Sequence, residues 1–142
     1  MYKAMKAKIS LMQVCEAQGE TNKSARDFAD LCKDLTTMSQ ESMHVFTCDQ
    51  KHRVIERHMV SLGTLTATLI HPREILRPAI LQAAASIVLV HNHPSGDTTP
   101  SEDDKRMTAR ISEACDIMGI RLLDHIIVGR EGYYSFVDNG GV

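Results

Sequence analysis

Ser86-Ile87-Val88-Leu89-Val90-His91-Asn92-His93-Pro94-Ser95-Gly96-Asp97-Thr98-Thr99-Pro100-Ser101-Glu102-Asp103-Asp104 carries an apolar run, two histidines, a Pro/Gly/Thr loop and an acidic helix start in succession. Ser86 to Val90 is apolar without alternation after its first residue, as expected of a central strand buried on both faces. The strand delivers His91 and His93 at its carboxyl end, where open α/β sheets place their ligands. Residues two apart in an extended chain point the same way, so both imidazoles can face one metal ion. Neutral imidazole is the commonest nitrogen ligand for zinc, and catalytic zinc usually takes three protein ligands. Asp104, in the first turn of the next helix, could close the set. Asp97 and Asp103 compete with it by chemistry, although Asp97 belongs to the loop and Asp103 points about 100° away around the helix.

Working outward, Ser101 is a good N-cap, and Glu102, Asp103 and Asp104 fill the turn where the helix dipole favours negative charge. Met107, Ile111, Ala114, Cys115 and Met118 form an apolar stripe, and Gly119 takes the position after the helix. Ile120 to Val128 reads as a strand, turned by 129–132 into Tyr133 to Val137, with a frayed tail after Asp138. Upstream, Glu41–Cys48 and Arg53–Ser61 form a hairpin about the turn 49–52. Thr64–Ile70 is a third strand, rich in β-branched residues. His71-Pro72 opens a helix, and Pro78 is expected to divide it into two short pieces ending by Ala85. Ser24 to Leu35 has helical spacing, and Lys8–Val14 suits a short strand. The order predicts an α/β (α+β) domain with a mixed β-sheet flanked by helices.

The chain has 142 residues, 43% hydrophobic and 24% charged, which is ordinary for one globular domain. A net charge of −2 gives no global attraction to phosphate backbones. Lys105, Arg106 and Arg110 are the only basic residues grouped beside the histidines. Cys15, Cys32, Cys48 and Cys115 match no zinc-finger spacing and read as small core thiols of a reducing compartment. No apolar run is long enough to span a membrane, and the basic N-terminus lacks a secretory pattern. A cytoplasmic location without membrane association is therefore expected. His44, His52 and His58 read as surface residues of the hairpin.

His91-x-His93, seven residues, then Ser101-x-x-Asp104 is similar to the H-x-H-x(7)-S-x-x-D signature, the JAMM motif, of JAB/MPN metallopeptidases. Gly63-Thr64, His71-Pro72-Arg73-Glu74, His91-Asn92-His93-Pro94-Ser95-Gly96, Pro100-Ser101 and Asp124-His125 resemble the RadC-like branch, historically called DNA repair proteins. The resemblance covers roughly Ala25 to Val137. On this basis residues 1–24 are read as an N-terminal extension and 25–142 as a RadC-like JAB/MPN domain. Full-length members carry a helix-hairpin-helix region ahead of that domain, for which this sequence has no room.

The resemblance implies a cytidine-deaminase-like architecture and a Zn2+ cofactor held by His91, His93 and Asp104. It implies a metallohydrolase that cleaves peptide or isopeptide bonds with a zinc-activated water. Glu41 matches the family's upstream general base, and Ser101 matches the serine that donates a hydrogen bond to the oxyanion. Glu56 and Glu74 remain alternative bases. Asp124 could accept the second N–H of a ligand histidine, and His71 could line the cleft; a structural pair at a strand end is the plainer reading of Asp124 and His125. A peptide or protein substrate is the expected partner. The alternative is a repair- or recombination-associated protein that binds DNA or a protein partner.

Overall fold

A computed structural model describes residues 23–63 and 70–142. The expected strand at Lys8–Val14, and that at Thr64–Ile70 apart from its last residue, lie outside the described residues. The strands are β1 (Ser42–Cys48), β2 (Val54–Leu62), β3 (Ser86–Asn92), β4 (Arg121–Gly129) and β5 (Gly132–Ser135). The helices are α1 (Ala25–Leu31), α2 (Pro72–Leu81) and α3 (Glu102–Met118). The strands form one sheet in the order β2-β1-β3-β4-β5. Only β3 and β4 pair in parallel; the other neighbours are antiparallel. The fold is thus the mixed α/β arrangement expected, and it is consistent with a JAB/MPN architecture.

The central strand explains the layering. All seven residues of β3 are buried. Ile87 and Leu89 enter one apolar cluster with Ile75 and Leu76 of α2 and Met107 and Ile111 of α3. Val88 and Val90 enter a second cluster with Phe28, Cys32 and Leu35. Alternation therefore feeds both faces. By the same alternation His91 joins the α3 face and Asn92 the α1 face. Each large aliphatic side chain so buried contributes roughly 1.5–3 kcal/mol.

Two helical expectations are corrected. The helix predicted through Leu35 ends at Leu31, and Lys33–Thr37 continues as a 3-10 turn. Thr36 Oγ1 donates to the Lys33 carbonyl at 2.7 Å, a local bond that competes with helix. The tighter turn brings Leu35 into the core beside Phe28 and Cys32. Pro78 does not divide α2, which runs unbroken through it. An interior proline costs about 3 kcal/mol. Burial of Ile75, Leu76 and Ala79 on the sheet offsets that loss. The helix ends at Leu81, and the chain turns away at Ala83, where φ is +50°, with Ala83 N–H bonded to the Ile80 carbonyl and Ala84 N–H to the Ala79 carbonyl.

The tail is also better held than expected. Gly141 N–H donates to the Phe136 carbonyl at 2.7 Å, and Asn139 Nδ2 donates to the Ser135 carbonyl at 2.7 Å.

The loop that begins at His93 is pressed against the end of β4. His93 N–H donates to the Val128 carbonyl at 3.0 Å. A Cβ at Gly129 would stand 2.6 Å from the Gly96 carbonyl oxygen and 2.9 Å from Thr98. Because the closest atom is backbone, Gly129→Ala is expected to displace the loop and destabilise the domain by about 1–3 kcal/mol. Urea unfolding measures this, and a midpoint equal to wild type would contradict it.

Candidate metal centre

Three elements meet where β3 ends. His91 is its penultimate residue, His93 follows it, and Asp104 sits in the first turn of α3. The donor atoms of these three residues all lie within 4.8 Å of one another, a group that could hold a metal ion. His91 Nε2 is 3.1 Å from His93 Nε2 and 3.3 Å from Asp104 Oδ1, and His93 Nε2 is 3.1 Å from Asp104 Oδ2. Ligands about 2.0–2.1 Å from a tetrahedral zinc lie about 3.3–3.4 Å apart, so the triangle has the size of one face of such a site. Its chemistry also fits. His93 Nδ1 lies 2.7 Å from the Asp97 carbonyl, which can only accept, so Nδ1 carries the proton and Nε2 the lone pair. Lone pairs and a carboxylate that converge in this way call for a cation.

The helix cap orients the carboxylate. Ser101 N–H donates to Asp104 Oδ2 at 2.8 Å, and Asp104 N–H donates to Ser101 Oγ at 3.0 Å, a capping box. Cap and donor are the same side chain. Burial would raise the Asp104 carboxyl pKa, but the His91 and His93 imidazoles beside it outweigh that effect and hold the pKa far below the usual range. The adjacent Asp104 carboxylate raises the His93 pKa against the opposing effect of burial, and the charge of Glu41 adds to the rise. Asp97 caps its own loop by accepting from Thr99 N–H, and Asp103 pairs with Arg106, so neither joins the group.

Glu41 stands two residues ahead of Met43, which pairs with His91. Alternation puts it on the face that carries the histidines. Its backbone is gripped from both sides by Asn92. Ser42 N–H donates to Asn92 Oδ1 at 2.7 Å, and Asn92 Nδ2 donates to the Gln40 carbonyl at 3.0 Å. Gly63 N–H donates to the Glu41 carbonyl at 2.8 Å. The alternative glutamates lie elsewhere. Glu56 is opposite Thr47, toward the other end of β1, and binds Gln82; Glu74 pairs with Arg77. His71 is the exposed N-cap of α2 and is not one of the three grouped donors.

The residue beside His91 is His125, for which the motifs gave no role. Its Nε2 lies 2.7 Å from His91 Nδ1, and the ring is fully buried. Burial, with the neighbouring His91, pushes its pKa well below the ordinary imidazole value. Asp124 does not take the position suggested for it. It turns to the other face and accepts from Ser135 Oγ at 2.6 Å and from Val137 N–H at 3.0 Å.

His44 is likewise corrected from surface to buried, at 6% exposure. It accepts from Arg57 Nε at 3.1 Å, its Nε2 meets Ser42 Oγ at 3.0 Å, and Arg57 is held by Asp34. Burial, then Arg57, lowers its pKa to about 4, partly opposed by Asp34. The unfolded chain protonates His44 near 6.5, before the folded one does. Stability is therefore present above that pH and is lost as pH falls toward 4, by roughly 3 kcal/mol. His44→Asn is expected to flatten this part of the pH–stability curve in denaturant titrations; an unchanged slope would contradict it.

A family model described as the RadC-like JAB domain matches residues 22–141. The chain belongs to the RadC family. Proteins similar to this RadC-family chain include a UPF0758 protein of Symbiobacterium thermophilum, 45% identical over 113 residues, which are 80% of this chain and 48% of the relative. A UPF0758 protein of Pelobacter propionicus is 48% identical over 107 residues, 75% of this chain and 47% of the relative. Another, of Thermotoga maritima, is 42% identical over 109 residues, 77% of this chain and 49% of the relative. The chain spans about half the length of these relatives. Among the described residues of this RadC-family chain, no helix is long and apolar enough to cross a membrane.

Proposed function

We propose that this RadC-like domain is a zinc-dependent metallohydrolase that cleaves peptide or isopeptide bonds. The supporting observation is the triangle of His91 Nε2, His93 Nε2 and Asp104 at 3.1–3.3 Å, the size of one face of a tetrahedral zinc site. Bound zinc would supply a Lewis acid and bring the pKa of a water to about 7. The chain's own residues would do the rest. Glu41, fixed by Asn92 and Gly63, would accept the proton of the attacking water and return it to the leaving amine. Ser101 uses its hydroxyl oxygen to accept from Asp104 N–H, which leaves its own proton for an oxyanion. The test is amine release from peptide and isopeptide substrates by zinc-loaded protein. Release that a chelator stops and zinc restores supports the reading; failure of the wild-type protein to take up zinc sinks it.

The DNA-binding alternative has less to rest on. Lys105 pairs with Glu102 and Arg106 with Asp103, while Arg110 donates to the Ile70 carbonyl. Retention of duplex DNA with a steep salt dependence would favour that alternative.

A further inference from the structure

His91 and His125 are each ambiguous alone, because either nitrogen of a neutral imidazole can carry the proton. The chain beyond them removes the ambiguity. Thr108 Oγ1 lies 2.7 Å from the Asp104 carbonyl one helical turn back. A carbonyl only accepts, so the hydroxyl proton is committed there. Thr108 Oγ1 also lies 2.6 Å from His125 Nδ1. With its proton spent, the hydroxyl accepts at this contact, and His125 Nδ1 must donate. His125 Nε2 is then a lone pair, and at 2.7 Å it requires the proton on His91 Nδ1. His91 Nε2 is left with a lone pair that faces His93 and Asp104.

The opposite arrangement has local attractions. A proton on His91 Nε2 would find Asp104 Oδ1 at 3.3 Å and His93 Nε2 at 3.1 Å as acceptors. Without a cation, the triangle by itself would favour that tautomer, which blocks a ligand position. Taking it up would move the proton to Nε2 on both imidazoles, and the single hydroxyl proton of Thr108 would then face two acceptors, His125 Nδ1 and the Asp104 carbonyl, and could satisfy only one. In a fully buried place, losing a hydrogen bond costs about 1–3 kcal/mol.

We propose that Thr108 and His125 are a positioning pair that locks His91 in the Nδ1–H tautomer and so holds its Nε2 open to a divalent cation. The proposal rests on the metal-site reading above. The ring of contacts closes on one residue: Asp104 supplies the carbonyl that fixes Thr108 and the carboxylate that faces the imidazoles. Thr108 thus relates the third donor to the first through the interior of the domain. Outer partners of a ligand histidine commonly change metal affinity about 10–100-fold. Here that partner is a neutral imidazole whose own tautomer is set by a threonine.

Histidine 15N spectra of the metal-free protein at mildly alkaline pH report the tautomer directly and require no metal. Wild type is expected to show Nδ1–H for both His91 and His125. A protonated Nε2 on His91 overturns the proposal, whatever the metal affinity turns out to be. Thr108→Val keeps the branched shape and removes the hydroxyl; it is expected to move both signals toward Nε2–H and to weaken zinc binding about 10–100-fold in competition with a chelator dye. Thr108→Ser, which keeps the hydroxyl, is expected to stay within about threefold of wild type. Valine with wild-type spectra, or serine as weak as valine, overturns the proposal. If wild type binds no zinc, the metal reading fails, while the metal-free spectra still decide the tautomer.

Discussion

Replacing His93 with alanine is expected to abolish stoichiometric zinc uptake. Wild-type protein should carry about one zinc per chain, as a site with three protein ligands does. His93 is the hinge of the donor triangle, 3.1 Å from both His91 Nε2 and Asp104 Oδ2. Its other nitrogen is tied to the Asp97 carbonyl, so the ring is held by the loop and not by the metal alone. Without the ring, two donors remain and affinity should fall by more than the roughly 10–100-fold that loss of an outer partner costs. The ring is half-buried at the rim of the core, so the variant should fold, with a far-ultraviolet spectrum like that of wild type. Elemental analysis after gel filtration gives the answer. A His93→Ala protein that still carries one zinc would remove the site from β3 altogether.

Glu41→Gln is expected to separate chemistry from metal binding. The amide keeps the size of the carboxylate but cannot take a proton from water. Turnover should fall about 10²–10⁴-fold, the usual contribution of a positioned general base. Zinc content should be unchanged, because Glu41 lies outside the donor triangle. Glu56→Gln and Glu74→Gln should both stay near wild type, since those side chains are engaged by Gln82 and Arg77. Unchanged turnover in Glu41→Gln would discard it as the base. Loss of zinc together with turnover would make it a ligand instead.

The sequence announced the site more fully than its surroundings. His91, His93, Ser101 and Asp104 fall within one short stretch, where strand alternation and a helix cap fix directions locally. The mixed sheet was legible for a similar reason, because the unbroken apolar run at Ile87–Val90 admits few other readings. His125 was not legible as a neighbour of His91. The two are separated by 34 positions, and only the pairing of β3 with β4 brings them together. His44 was misread because it stands in a hairpin with a polar partner strand. Its burial comes from Arg57 and Asp34, joined across the chain by α1 and the 3-10 turn after it. Pro78 failed as a breaker because propensity is local and the burial that opposes it is not.

The pairing of β3 with β4 skips a residue. Ile87 is opposite Leu122, but Val88 is opposite Asp124, so Leu123 is unmatched. Had the ladder run straight, Asp124 would stand beside Leu89, and its side chain, not the imidazole of His125, would face α3. A carboxylate would then touch His91 from the inside, and the site would hold one more negative charge. That single unmatched leucine acts as a phase shift in the sheet. The charge of the interior behind the candidate metal site is decided at Leu123, two residues before His125 is reached.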